Sequence, residues 1–359
     1  MSETVMSPAM RAKQWDEKFF MEYVRANRFK RYMGSSENDI IQVNNDLSKK
    51  KGDAITFNLI GALDAASGPN DGSTLLVGAE KALPNDGHRI TIEVVRDATV
   101  VNLEEEQASP IDIRNAGKMA LKDLANRYLK NAIVSALGQI AGVAYSAATA
   151  ANKNAWNVAN QDRVLFGDSQ ANFNATHATA LANITAAMTL TKEVVSLAKF
   201  MAQSAVTVNG EGIRPYTYGE DEETYVMFAG SAPYRDLKND LTTVHTDARE
   251  RALTNPLFTG TTSLYWDGVV VREIPEIAGI GAVGAMSATV SPVYLCGAQA
   301  LGVAWAQTTK TTIRKEDDYG FRQGVGFFEL RGVEKIVWNQ DAGQDAVDWG
   351  MVSVFVAAA

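Results

Sequence analysis

A chain of 359 residues with 46% hydrophobic and 21% charged residues has ample material for a buried core, which excludes a wholly disordered protein. Its net charge of −8 argues against a dedicated nucleic-acid binder, because phosphate contacts require a surplus of Lys and Arg. The single cysteine, Cys296, excludes an internal disulfide and fits a reducing cytoplasm, and the polar start from Met1 to Lys18 carries no secretory signal.

Residues 10–33 read as an amphipathic helix or helix pair, with Trp15, Phe19, Tyr23 and Met33 on one face and Gly34 as the stop. Residues 1–35 are locally basic at +3. A solvated helix face is the simplest reading, and an internal contact to nucleic acid or a scaffold is the other. Two strands follow, Ala54–Leu63 and His88–Val95. In the first, Ile55, Phe57 and Leu59 alternate with Thr56 and Asn58; in the second, Ile90, Ile92 and Val94 alternate with Arg89, Thr91 and Glu93. The connection from Leu63 to Gly87 is far longer than a hairpin loop of about 2–5 residues. It is rich in Gly, Pro, Asn and Asp and holds no His, no Cys and no catalytic pair, which points to an arm that touches another molecule.

Ser109-Pro110-Ile111-Asp112 reads as a helix start, with Ser at N-cap, Pro at the first helical position and a carboxylate at the third. Leu121, Leu124, Tyr128, Ala132, Ala136 and Ile140 continue it at helical spacing towards Gly142, a rod on the order of 48 Å. From Ala147 to Thr191 the chain is rich in Ala, Asn and Thr, with a short strand and turn at Arg163–Asp168. Thr191–Ser204 reads as a second capped helix with Val194, Val195, Ala198 and Met201 on one face. Tyr225–Phe228 and Gly268–Ile274 read as strands, Pro292–Trp305 as a segment holding a buried helix, and Met351–Val356 as a terminal strand. Without regular βαβ alternation the class is α+β.

No Asp, Glu, Lys or Arg occurs from Ile277 to Thr309, but glycines, Pro292 and hydroxyl residues interrupt the run too often for a bilayer span. Candidate chemistry is weak throughout. Gly167-Asp168-Ser169 resembles an esterase nucleophile block, yet no activating Asp-x-x-His accompanies His88, His177 or His245. The histidines have no Cys or His at ligand spacing, and the acidic runs Glu104–Glu106 and Glu220–Glu223 lack calcium-loop spacing, so solvated loops are the simpler reading. Gly279–Gly284 spells G-x-G-x-x-G but follows Pro275 and precedes a Ser, Thr and Pro rich segment, not a long helix. Cys296 sits in an apolar context that suits an inert core thiol. No catalytic residue, cofactor or metal is expected.

Several stretches taken together resemble the major capsid proteins of N-four-type podophages, within the HK-97-like phage capsid superfamily. They are Trp15 with Tyr32-Met-Gly34, Lys51–Leu59, Gly72–Glu80, Ile90–Ala98, the long helix after Ser109, and Leu295–Leu301. The resemblance implies an HK-97-like phage capsid fold. Residues 1–52 would be an N-terminal arm, 53–103 the E-loop and peripheral-domain strands, and 104–204 the peripheral domain with its spine helix. Residues 205–330 would be the axial domain and 331–359 a C-terminal strand returning to the peripheral domain. Inter-subunit contacts are expected at the E-loop tip (Leu63, Gly68, Pro69, Gly72, Leu75, Leu76, Gly78, Pro84, Gly87) and in the N-terminal arm (Trp15, Phe19, Arg25, Arg28, Arg31).

The function implied is a tailed-phage coat protein assembling as hexamers and pentamers into an icosahedral shell around double-stranded DNA. Its partners would be itself, a portal, and scaffold or decoration proteins, with lumenal DNA held without sequence specificity and no membrane; its place is the virion, after assembly in the host cytoplasm. The alternatives are a nanocompartment shell protein of the same fold, which a cargo-enzyme gene neighbourhood would distinguish, and a phage tail or scaffold protein. An acidic balance that lets DNA slide, and glycine-rich arms that tolerate several local environments, suit a shell subunit.

Overall fold

The computed structural model describes residues 25–45, 52–70, 72, 76–109, 111–216, 223–248, 263–317 and 321–358. In chain order the strands and helices are β1 (Met33–Gly34), β2 (Ile41–Asn44), β3 (Ala54–Ile60), β4 (Asn85–Thr91), β5 (Glu93–Asn102), α1 (Leu103–Ala108), α2 (Ile113–Leu137), α3 (Ala150–Ala159), β6 (Val164–Phe166), α4 (His177–Ala182), α5 (Lys192–Ser204), β7 (Tyr225–Ala229), α6 (Ser231–Ala248), β8 (Ser263–Trp266), β9 (Val269–Glu273), β10 (Val290–Cys296), β11 (Leu301–Asp317), β12 (Arg322–Lys335), β13 (Val337–Trp338), β14 (Val347–Asp348) and β15 (Met351–Ala357). They form two compact units. The smaller takes in Val94–Leu129 and Gln307–Leu330; the larger takes in Arg28–Glu93, Lys130–Ala306 and Arg331–Ala359.

The larger unit is built on a six-stranded mixed sheet in the order β6-β15-β10-β7-β9-β8. Its central strands β7, β10 and β15 are buried at every residue, because helices cover both faces. On one face α5 sets Val194, Val195, Ala198 and Met201 against Met227, Val293, Leu295 and Val354. The Thr191 hydroxyl caps this helix by accepting from the Val194 N–H at 3.4 Å. On the other face Trp156 of α3 and Ala180, Leu181 of α4 pack with Phe166 and Phe355. The terminal strand expected from the sequence is β15; it pairs antiparallel with β10 and parallel with β6 within this sheet.

A buried polar knot ties α3 and β6 to β14. Lys335 Nζ lies 2.8 Å from Asp348 Oδ2, with both side chains almost wholly enclosed. Trp156 Nε1 donates to the same carboxylate, Asn160 Oδ1 accepts from the Asp348 N–H at 2.7 Å, and Arg163 Nη1 donates to the Asp348 carbonyl. Buried charges survive because partners surround them.

In the smaller unit β12 pairs with β11 and β5, and α2 lays Leu121 and Ala125 on Val325 and Phe327. Tyr128 donates to Asp97 of β5 at 3.1 Å.

Several expectations need correction. Arg28–Tyr32 is a short 3-10 turn, and Met33 and Gly34 form β1 instead of a helix face and its stop. The second strand breaks at Ile92 into β4 and β5, and the break shifts the protected side by one residue. His88 and Ile90 are buried, but Val94 is 64% exposed while Val95 packs inward. Ser109 does not cap the long helix. Asp112 does, accepting from the Asn115 N–H at 2.9 Å, and the helix stops at Leu137 before Gly142. Pro292–Trp305 holds no helix: β10 and β11 run through it, since Val290, Val293, Tyr294 and Leu295 suit a central strand enclosed on both sides. Among the described residues no helix is long and apolar enough to cross a membrane.

Candidate assembly surface

The hairpin β3–β4 is paired without interruption from Ala54↔Thr91 to Ile60↔Asn85. Its inner face rests on the chain's own β11 and β12. Ile90 and Ile55 pack with Ala304, and two glycines let the backbones close up. A Cβ on Gly302 would stand 2.5 Å from Ile90 Cδ1, and one on Gly332 would stand 2.1 Å from the Thr91 carbonyl oxygen. The outer end of the hairpin is tied by polar bonds. Arg89 and Gln340 exchange two hydrogen bonds of 2.7 and 2.9 Å, the Asp86 carboxylate accepts from the Asn339 N–H, and the Asn209 amide donates to the Ala62 carbonyl at 3.2 Å.

His88 lies under this root, 2% exposed, with neither ring nitrogen hydrogen-bonded. Glu334 Oε2 is 3.7 Å from Nε2, too far for a hydrogen bond, and its own carboxyl is pushed up by burial. Desolvation outweighs the nearby Asp86 charge and lowers the His88 pKa to about 4, so the ring is neutral near pH 7.

Beyond Gly61, whose N–H donates to the Pro84 carbonyl at 2.9 Å, the chain leaves the ladder. The connection between the two strands runs from Gly61 to Pro84, starting two residues earlier and ending three residues earlier than the expected Leu63 to Gly87. It is organised by its own short bonds. Lys81 Nζ donates to the Asp64 and Gly68 carbonyls, Asn70 donates to the Ala79 carbonyl at 3.2 Å, and Glu80 accepts from the Gly78 N–H at 2.7 Å. Gly68 and Gly78 take positive φ of 70° and 89°, which side-chain-bearing residues avoid. Hydrogen bonds from Ser67 and Ala66 hold the Asp64 carboxyl below its usual range.

What this frame presents outward is apolar. Ile60, Leu63, Leu76, Val77 and Leu83 are 50–79% exposed. Large apolar side chains left exposed along one segment are the kind of surface from which contacts between proteins are made. Of the residues expected at the tip, Gly68, Pro69, Gly72, Leu76 and Gly78 lie on the arm. Leu63 and Pro84 sit near its root, and Gly87 does not belong to it: it is a β4 residue paired with Asn58. Leu75 lies outside the described residues, as do Trp15 and Phe19.

Arg25, Arg28 and Arg31 are all exposed, and Arg28 Nη1 donates to the chain's own Glu273 carbonyl at 2.6 Å. Phe29 and Tyr32 anchor this segment by edge-to-face contacts with Phe228 at 5.1 and 5.5 Å. Sequence reasoning missed Ile60, Val77, Leu83 and the ties from Asn209 and Gln340; an unbroken apolar pair such as Leu76-Val77 in a glycine-rich loop was the available signal.

Positions weighed for chemistry are structural. The Ser169 hydroxyl accepts from the Ala171 N–H, closing a turn after β6. His177 is boxed by Trp156, Phe166 and Phe355 and bonded to the Tyr145 hydroxyl at 2.7 Å; burial, with Lys153 adding to it, lowers its pKa to about 4. Cys296 is fully buried and its thiol pKa is pushed up by desolvation. Gly279–Gly284 is a loop leading towards β10. Among the described residues no group of three His, Cys, Asp or Glu could hold a metal ion.

The phage capsid protein family model, "Phage capsid protein", matches residues 3–359. The capsid asymmetric unit of cyanophage Pam1 is similar to this chain at 34% identity, TM-score 0.88 and 100% coverage of both chains. The capsid of Ralstonia phage GP4 is similar at 19% identity and TM-score 0.74, covering 100% of this chain and 99% of that one. The capsid of Helicobacter pylori bacteriophage KHP30 shares the fold at 12% identity and TM-score 0.68, covering 98% and 96%. No curated protein matches the sequence. The α+β expectation and the HK-97-like capsid fold are borne out, and a full-length family match together with a full-length relative at 34% identity places this chain in the phage capsid proteins.

Proposed function

We propose that the protein is the repeating subunit of an icosahedral shell, assembling as hexamers and pentamers around double-stranded DNA in the host cytoplasm and joined at one vertex by a portal. The observation that carries this reading is the arm from Gly61 to Pro84, rigidly rooted yet holding Leu63, Leu76, Val77 and Leu83 in water. Such a segment gains stability only by covering a neighbouring copy, and about 25 cal/mol per Å² of apolar surface removed from water would favour that contact. In this reading the six-stranded sheet and its helices, with β7 and β10 at its centre, form the axial domain. The long helix α2 is the spine of the peripheral domain, and the N-terminal arm makes its contacts with a neighbour or the lumen ahead of Arg28, since Phe29, Tyr32 and β2 pack within the subunit. The subunit carries no catalysis of its own, since Ser169, His177 and Cys296 are committed to packing and capping. Scaffold or decoration proteins would add to a shell whose basic contacts are between copies.

Electron microscopy of the purified protein tests this. Closed isometric particles are the expected result; tubes would favour a tail protein, and small soluble species that do not associate would overturn the reading. A nanocompartment would give similar particles that enclose protein in place of nucleic acid.

A further inference from the structure

Asn209-Gly210 is the sole Asn-Gly dipeptide in the 359 residues, and it lies in the stretch that supports the arm's root. We propose that Asn209 is a self-modifying site, converting without an enzyme to isoaspartate and aspartate, and that the conversion releases one of the bonds holding the arm.

The chemistry needs an asparagine side chain whose Cγ can be reached by the next backbone nitrogen. Both residues lie between α5 and β7 in a segment with neither helix nor strand. Asn209 is exposed, and no hydrogen bond engages the Gly210 N–H among the described residues. Glycine at the following position places no side chain in the way, and the space around Gly210 is open to 4 Å. Once hydroxide removes the Gly210 amide proton, that nitrogen attacks Asn209 Cγ. The N–Cγ bond forms, the Cγ–Nδ2 bond breaks, and Nδ2 leaves as ammonia with a proton from water. The five-membered imide then adds one water. Opening at one carbonyl gives aspartate, and opening at the other gives isoaspartate with an extra backbone carbon. Water is the only co-reactant and no oxidation state changes.

The consequence follows from what Asn209 holds. Its Nδ2 donates to the Ala62 carbonyl at 3.2 Å, one residue past the Gly61 to Pro84 bond that closes the hairpin. Val208 beside it lies close to the arm root as well, since a Cβ on Gly61 would stand 3.4 Å from it. After conversion a carboxylate oxygen replaces the donor and faces a carbonyl oxygen, so attraction becomes repulsion. The arm root then keeps the Asp86 and Gln340 ties but loses this one. A freshly made subunit and an aged one would therefore differ at the arm.

The test ages the purified full-length protein in mildly alkaline buffer and maps its peptides by mass spectrometry, with isoaspartyl methyltransferase labelling to locate isoaspartate. Asn209 should convert ahead of every other asparagine. Gly210→Ala, which the open space accommodates, should convert roughly tenfold more slowly, equivalent to about 1.4 kcal/mol of barrier. An intact Asn209 amide while other asparagines convert, or equal rates in Gly210→Ala, would overturn the modification. Trypsin cleavage at Lys81 tests the second half. Asn209→Asp should raise the rate about fivefold, as expected from losing one hydrogen bond worth about 1 kcal/mol. An unchanged rate would overturn the release of the arm.

Discussion

The six-stranded sheet and the arm spend the same residue types in opposite ways. In β10 every side chain from Val290 to Cys296 is withdrawn from water, whereas Leu63, Leu76 and Val77 on the arm are at least half exposed. The sheet gains its apolar burial when the chain folds. In the proposed function the arm would defer that gain to contact between copies, while short internal bonds such as Lys81 to Gly68 give it its shape. On the proposed function, folding stability and assembly competence would reside in separate segments, and substitutions can be sorted by which one they touch.

The largest folding effect is expected where the sheet unit buries charge. Replacing Lys335 with Ala leaves Asp348 enclosed without its cation and should cost about 3–5 kcal/mol in chemical denaturation, whereas replacing both partners with apolar residues of similar volume should cost much less. Met201→Ala, which opens a hole between α5 and the sheet, should cost about 2–5 kcal/mol. If either change left folding intact but abolished assembly, the separation between the two regions would fail.

Acid should separate the regions more finely. His88 and His177 have folded pKa values of about 4 against 6.5 when unfolded. A base whose folded pKa is depressed gives stability that is present above 6.5 and is lost as pH falls from 6.5 through about 4. The loss is on the order of 3 kcal/mol per ring at the acid end. Thermal melts across that window should show the decline, and His177→Phe should flatten part of it. A melting temperature unchanged down to pH 4 would contradict the buried, neutral assignment of both rings.

The smallest folding effect is expected on the arm. Leu76→Ala with Val77→Ala should change subunit stability by less than about 0.5 kcal/mol, because neither side chain is buried in the subunit. Particle yield should nonetheless fall steeply, since every copy in a shell would lose the same contact.

Legibility in the sequence followed local physics. The α5 helix was readable to the residue, because Thr191 caps it and its apolar spacing is regular. The arm was readable from its length and glycines. The α3 helix was not, since Ala150–Ala159 carries little besides Ala and Asn outside Trp156 and Val158. The β10 strand was misread because a run enclosed on both faces has no alternation to report. The shift between Ile90 and Val95 arises at a strand break that no pattern of residue types announced. Ties such as Asn339 to Asp86 join residues far apart in sequence, and only the folded chain shows them.

In the proposed function the arm from Gly61 to Pro84 serves assembly and not the fold. The direct measurement replaces Ala62–Leu83 with a short Gly-Ser turn, leaving Asp86, Arg89 and the β3–β4 ladder in place, and pairs a thermal melt with sedimentation and electron microscopy. Loop closure changes by only about 0.6 kcal/mol per doubling of loop length, so the variant should melt close to wild type. It should fail to form closed particles. Normal shells from a folded variant would show that assembly does not need the arm, and an unfolded variant would place the arm within the subunit's own core.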